Sequence, residues 1–305
     1  MFRTVSELVR LAESQGVPLS EVMIRQEIAT SGRSREEIVG QMERNLAVME
    51  EAVSRGLSEG VRSISGLTGG DAARLQRYLS RGSQLSGRTL LEAVCMALAT
   101  NEINASMGTI CATPTAGASG VVPGALLALK EKLNPTREQM LAFLFTAGAF
   151  GLAIANNAGI SGAAGGCQAE VGSASAMAAA AIVELAGGTP RQSAHAAALA
   201  LQNLLGLVCD PVAGLVEIPC VLRSAMGAAH AMVAADMALA GIESRIPCDE
   251  VIGAMLQVGQ ALPATLRETG QGGLANTPTG RRLEARVFGS SNWASVTVDR
   301  QGEEP

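Results

Sequence analysis

Apolar residues recur along most of this chain at the three- and four-residue spacing of helices, and alternating β-branched runs are nearly absent. Ser34-Arg35-Glu36-Glu37 has the form of a capping box and predicts an amphipathic helix from Glu36 to Arg55. Gly69-Gly70-Asp71 breaks the pattern, and another helix is expected from Ala72. From Thr89 to Gly241 charges become sparse. Helices are expected there at about 89–107, 120–133, 137–157, 169–186, 190–207 and 220–241, punctuated by Gly and Pro. One more, about 249–267, precedes a Gly-rich stretch. The pattern predicts an all-α fold: an Ala/Gly-rich compact helical domain with buried central helices. It divides the chain into a charged helical region (1–85), a helical core domain (86–276) and a C-terminal tail (277–305). No repeat of fixed period is present.

Composition sharpens this picture. At 305 residues the chain can bury a sizeable core without disulfides. Hydrophobic residues make up 48% but aromatics only 2%, so Ala and Gly take the place of large side chains and let helices approach closely. The net charge of −5 is spread over interspersed residues with no basic patch, which argues against nucleic acid as a partner. Met1-Phe2-Arg3-Thr4 leads into charged residues rather than an apolar signal segment, and a cytoplasmic location is expected. Met140 to Gln168 carries no charge, and a run of about 20 apolar residues is long enough to span a bilayer. Asn156, Asn157, the many glycines and the lack of Lys/Arg clusters at its ends favour a buried core helix instead, so no membrane is expected.

Three segments carry candidate chemistry. Ala112-Thr113-Pro114-Thr115-Ala116-Gly117-Ala118-Ser119-Gly120 is a small-residue loop opening a helix; its N–H groups and the hydroxyls of Thr115 and Ser119 suit a carboxylate, although an ordinary loop with an N-cap reads the same way. Gly165-Gly166-Cys167 and Cys209-Asp210-Pro211, with Pro219-Cys220, place three cysteines at predicted helix junctions. Helix N-termini favour the thiolate that a metal needs, a benefit expected to be greater for Cys167 and Cys220 than for Cys209. Their spacing matches no zinc-finger or ferredoxin pattern, and free Cys is also common as a small buried hydrophobe. Cys95 reads as core, Cys111 as a neighbour of the loop, and Cys248 as a helix-start residue in a structural role. His195 and His230 sit among alanines, which leaves a His-based hydrolytic triad poorly supported. There is no Gly-x-Ser-x-Gly elbow and no phosphate-binding Gly-x-x-x-x-Gly-Lys loop.

Taken in order, Asn101-Glu102-Ile103-Asn104-Ala105-Ser106-Met107-Gly108, the Thr113–Gly124 loop, Asn157-Ala158-Gly159-Ile160-Ser161-Gly162, Gly166-Cys167-Gln168-Ala169-Glu170, Val208-Cys209-Asp210-Pro211, Ile218-Pro219-Cys220 and Arg267-Glu268-Thr269 with Gly272-Gly273-Leu274-Ala275 resemble the iron–sulfur-dependent L-serine dehydratases. The resemblance covers about residues 90–276 and implies several things. This is the helical, cluster-holding α part, paired with a separate β subunit. A [4Fe–4S] cluster is held by Cys167, Cys209 and Cys220, with one iron open as a Lewis acid. L-serine is turned into pyruvate and ammonia. Candidate bases are Glu102 and Glu170, each of which also reads as a capping or ion-pair residue; the β subunit is another possible source. Thr115, Ala116, Gly117, Ser119, Asn104 and Asn157 are candidate substrate-binding residues. Rival readings are a cluster-dependent hydro-lyase acting on threonine or a related hydroxy acid, and a non-catalytic metal-binding helical protein. Family members with a cysteine near the C-terminus can bring it to the cluster; here no cysteine follows Cys248.

Overall fold

A computed structural model describes residues 1–58 and 60–289. The N-terminal region folds into α1 (Val5–Gln15), α2 (Leu19–Ser31), α3 (Arg35–Gly56) and α4 (Asp71–Leu79). Ser34 and Glu37 form the anticipated capping box, each side chain bonding the other's backbone N–H, and α3 starts there for that reason. The chain continues as α5 (Arg88–Ala105), α6 (Val121–Ala128), α7 (Lys130–Leu133), α8 (Arg137–Asn157) and α9 (Gly162–Gly165). It continues through α10 (Ser173–Leu185), α11 (Pro190–Gln202), α12 (Cys220–Leu239) and α13 (Cys248–Ala261). Among the described residues there is no strand, only an isolated bridge between Cys209 and Arg267.

α10 is the axis of the molecule. Every residue from Ser173 to Val183 is buried, and α6, α8, α11 and α12 pack around it. A helix apolar on all sides belongs in an interior. Its Ala-rich sequence, Ser173-Ala174-Ser175-Ala176-Met177 and onward, keeps those four neighbours close. α8 is long and apolar enough to cross a membrane, yet it is a core helix: most residues from Met140 to Ile154 are buried, and α2, α3 and α10 cover it.

Several boundaries differ from expectation: the helices expected to reach about 207 and 267 stop at Gln202 and Ala261, and the one expected at 120–133 is split into α6 and α7. The helix expected from about 169 begins as a π-turn, Gln168–Gly172, before α10 takes over. The segment assigned to a tail contains α14 (Pro278–Phe288), capped by Thr277, whose Oγ1 accepts from Gly280 N–H. The remainder of that tail, from 290 onward, lies outside the described residues.

Candidate functional site

The C-terminal end of α5 and the entries to α6, the π-turn and α12 are where the chemistry-bearing segments meet. Cys167 stands immediately before the π-turn, and Glu170 lies on it. Cys209 lies in the connection between α11 and α12. Its N–H donates to Leu266 O (2.9 Å), and its carbonyl accepts from Glu268 N–H (2.7 Å). Cys220 is the first residue of α12. All three thiols are buried and free. Cys167 Sγ, Cys209 Sγ and a Glu170 carboxylate oxygen lie within 4.8 Å of one another. Cys220 is outside this tightest group but close enough for its thiol to feel the charges of Cys167 and Glu170.

The geometry dictates the electrostatics. A hydrogen bond from Cys209 lowers the pKa of Cys167, against the opposing effect of burial. The same bond, together with burial, drives Cys209 upward. Cys220 is pushed up to about 12, by burial first and then by the negative charge of Cys167 and Glu170. Desolvation and like charge outweigh the helix dipole at Cys220, yet Cys209, which starts no helix, is raised further still. Burial also raises Glu170, as does the charge of Glu268; hydrogen bonds from Thr115 and Cys209 pull the other way.

Close approach to this group requires missing side chains. A Cβ on Gly162 would stand 2.4 Å from Glu170 Oε2 and 3.1 Å from Cys209 Sγ. At Gly117 the demand is weaker, since a Cβ there would make only ordinary contact, 3.5 Å from Glu170 Oε1. The loop before α6 is tied to the site at Thr115, whose hydroxyl donates to Glu170 Oε1 (2.7 Å). Two α5 amides hold the loop in place: Asn101 Nδ2 donates to Gly117 O (2.9 Å) and Asn104 Nδ2 to Ala116 O (3.2 Å). Among the described residues the N–H groups of Ala116 and Gly117 reach no protein acceptor.

The remaining candidates are engaged elsewhere. Ser119 is fully buried, with its hydroxyl directed at Asn101 Oδ1 (3.5 Å). Asn157 donates to Ala153 O (2.7 Å) and Arg3 O (2.8 Å), joining the end of α8 to the N-terminal segment. Glu102 is buried and caps α4, accepting from Asp71 N–H (2.6 Å) and Ala72 N–H (3.4 Å). Burial nevertheless raises its pKa, and its Oε2 has no partner. Cys95 donates to Ala72 O (3.3 Å) inside the core, and burial pushes it up to about 12. Cys111 lies beside Asn45 O (3.5 Å). Cys248 is buried at the start of α13. His230 Nε2 contacts Ala200 O (2.9 Å), consistent with a structural role.

The sequence of this chain matches the family model described as "Serine dehydratase alpha chain" over residues 14–275. The chain belongs to the serine dehydratase alpha chain family. It is 67% identical over 291 residues to a probable L-serine dehydratase alpha chain of Bacillus subtilis, covering 95% of this chain and 97% of that one. It is 43% identical over 283 residues to an L-serine dehydratase alpha chain of Peptoniphilus asaccharolyticus, covering 93% and 97%. An L-serine dehydratase of Escherichia coli is 38% identical over 280 residues, which is 90% of this chain but 61% of the longer relative.

Within this member of the serine dehydratase alpha chain family, some site residues went unseen in the sequence. Gln168, fully buried, donates to Gly165 O (2.8 Å) and Met255 O (3.0 Å) and accepts from Gly206 N–H (2.9 Å), fixing the backbone beside Cys167. Arg223 donates to Val208 O and to Asp210 Oδ1, both at 2.7 Å. Asp210 and Glu268 also border the site. A charged Arg on an otherwise Ala-rich helix was the one available signal for Arg223; Gln168, Asp210 and Glu268 lie inside the segments that carry the resemblance, which gave them no role.

Proposed function

We propose that this chain is the cluster-holding α subunit of a two-chain L-serine dehydratase, releasing pyruvate and ammonia from L-serine. The observation that carries the reading is the grouping of buried free thiols from three separate segments around one carboxylate. This donor set suits a metal: thiolates are soft ligands for iron–sulfur clusters, and buried thiols at close quarters resist ionising unless a cation neutralises them. Cys167, Cys209 and Cys220 would hold a [4Fe–4S] cluster. When bound, such a cluster with three protein thiolates supplies an open iron as a Lewis acid for the departing hydroxyl.

The chain's own residues account for the rest of the reaction. The substrate carboxylate binds the N–H groups of Ala116 and Gly117, which reach no protein acceptor among the described residues, in the loop before α6. Asn101 and Asn104 keep that loop in register. Glu170 takes the α proton. Its burial raises its basicity towards the range a general base needs, and Thr115 fixes one of its oxygens. The pairing of α and β chains is supported by the "alpha chain" names of the relatives from B. subtilis and P. asaccharolyticus. The longer E. coli relative, in which this chain matches 61%, has room for a second part in one polypeptide.

The test is anaerobic reconstitution with iron and sulfide, with and without the β partner, followed by assay of pyruvate from L-serine, L-threonine and related hydroxy acids. Wild type is expected to turn brown and to prefer serine. Cys167→Ala, Cys209→Ala and Cys220→Ala are each expected to abolish activity, while Cys95→Ala keeps most of it. A colourless protein that takes up zinc, or four variants that behave alike, would overturn the reading.

A further inference from the structure

We infer that Arg223 is a positioning residue that locks the Cys220 helix to the Cys209 connection; this rests on the reading of the site as a cluster holder. Arg223 sits one turn beyond Cys220 on α12. Its Nη1 donates to Val208 O and Asp210 Oδ1, the residues on either side of Cys209. One guanidinium thereby joins the Cys220 helix to the Cys209 connection.

The clamp is extended rather than isolated. Asp210, only 3% exposed, spends its second oxygen on Leu274 N–H (2.7 Å). Gly273 makes that approach possible, since a Cβ there would lie 2.2 Å from Asp210 Oδ2. On its other side, the backbone of Cys209 is held by Leu266 and Glu268. Cys209 is therefore fixed by main-chain bonds from one direction and by the Arg223–Asp210 pair from the other. A buried ion pair is weak evidence for stability, because desolvating two charges offsets their attraction. Its use here is to fix geometry and to supply positive charge where thiolates and the Glu170 carboxylate would otherwise stand unbalanced. Groups that orient ligands in this way are worth about 10–100-fold in metal affinity.

The experiment compares wild type, Arg223→Lys, Arg223→Gln and Asp210→Asn, each produced with the β partner and reconstituted anaerobically. Three quantities are read: iron per chain, rate of loss of visible absorption under a chelator, and cluster reduction potential. Arg223→Gln is expected to lose its chromophore about 10–100-fold faster than wild type and to shift the potential downward. Arg223→Lys, which keeps the charge without the planar fork, should recover the potential and part of the lifetime. Asp210→Asn should shorten the lifetime with a smaller change in potential. If Arg223→Gln fails to fold, Arg223→Lys and Asp210→Asn carry the comparison. The inference is overturned if the folded variants match wild type in all three readouts, or if Lys and Gln are equally impaired with an unchanged potential. A wild-type chain that takes up no iron sinks the cluster reading itself, and this inference with it.

Discussion

At the scale of single residues, the acidic side chains near the site divide by what touches them. Glu170 meets two thiols and a threonine; Glu102 meets the backbone of α4. The sequence presents both in the same way, as a lone Glu inside a recognisable motif, and the difference emerges only when distant segments meet. Glu102 carries a testable consequence. Burial raises its folded-state pKa, so protonation is tighter in the folded chain than in the unfolded one. The stabilising contribution is fully present below the unfolded value and is lost as pH rises through the folded value. Relative to Glu102→Gln, wild type should therefore lose thermal stability as pH rises above the ordinary carboxylate range, with the two chains closest at the acid end; paired melting curves from acid to neutral pH, without the cluster, check it. Parallel curves would show that the carboxylate ionises as freely folded as unfolded.

At the scale of elements, small residues do opposite things depending on what faces them. Gly124 lies where α6 crosses α5, and a Cβ there would stand 2.7 Å from Ala93 O and 2.9 Å from Ala97 N. Gly253, in α13, has nothing within 4 Å of the same position. Ala is the better helix former by about 1 kcal/mol at either site. At Gly124 that gain is outweighed, because overpacking against backbone costs roughly 1–3 kcal/mol. Gly124→Ala is expected to lower the urea midpoint, and Gly253→Ala to raise it by up to about 1 kcal/mol equivalent. This is also where the limits of sequence reading show most clearly. Helical period and capping residues place α3, α5, α8 and α12 within a residue or two, because those signals are local. The π-turn at Gln168 escapes because nothing local marks it, whereas the helix at Pro278–Phe288 carries a readable start signal, Thr277 as N-cap with Pro278 at the first helical position. Of the site, the cysteines stand out by their Gly/Pro surroundings, but the clamp on Cys209 depends on Arg223 and Leu274, which are far apart in the chain.

At the scale of the whole molecule, the buried axis α10 and its neighbours form one packed core that holds the site at one end. The proposed activity then depends on a second chain arriving from solution, whereas the E. coli relative has the length to carry both parts in one polypeptide. A tether of ordinary length keeps two modules at an effective concentration of about 1 mM. Dilution should therefore reduce the specific activity of the reconstituted two-chain enzyme, and excess β chain should restore it. Specific activity measured down to nanomolar enzyme tests this; activity independent of dilution and of added β chain would argue that the α chain works alone.

The π-turn ahead of α10 has one further implication. A wide turn of this kind holds one residue more than an ordinary one, which offsets everything upstream by about 100° around the axis. Random mutagenesis for heat resistance would be tempted to delete that surplus residue, since a regular coil is easier to keep folded. The product would be a tougher protein in which Glu170 and the sulfur of Cys167 no longer look the same way.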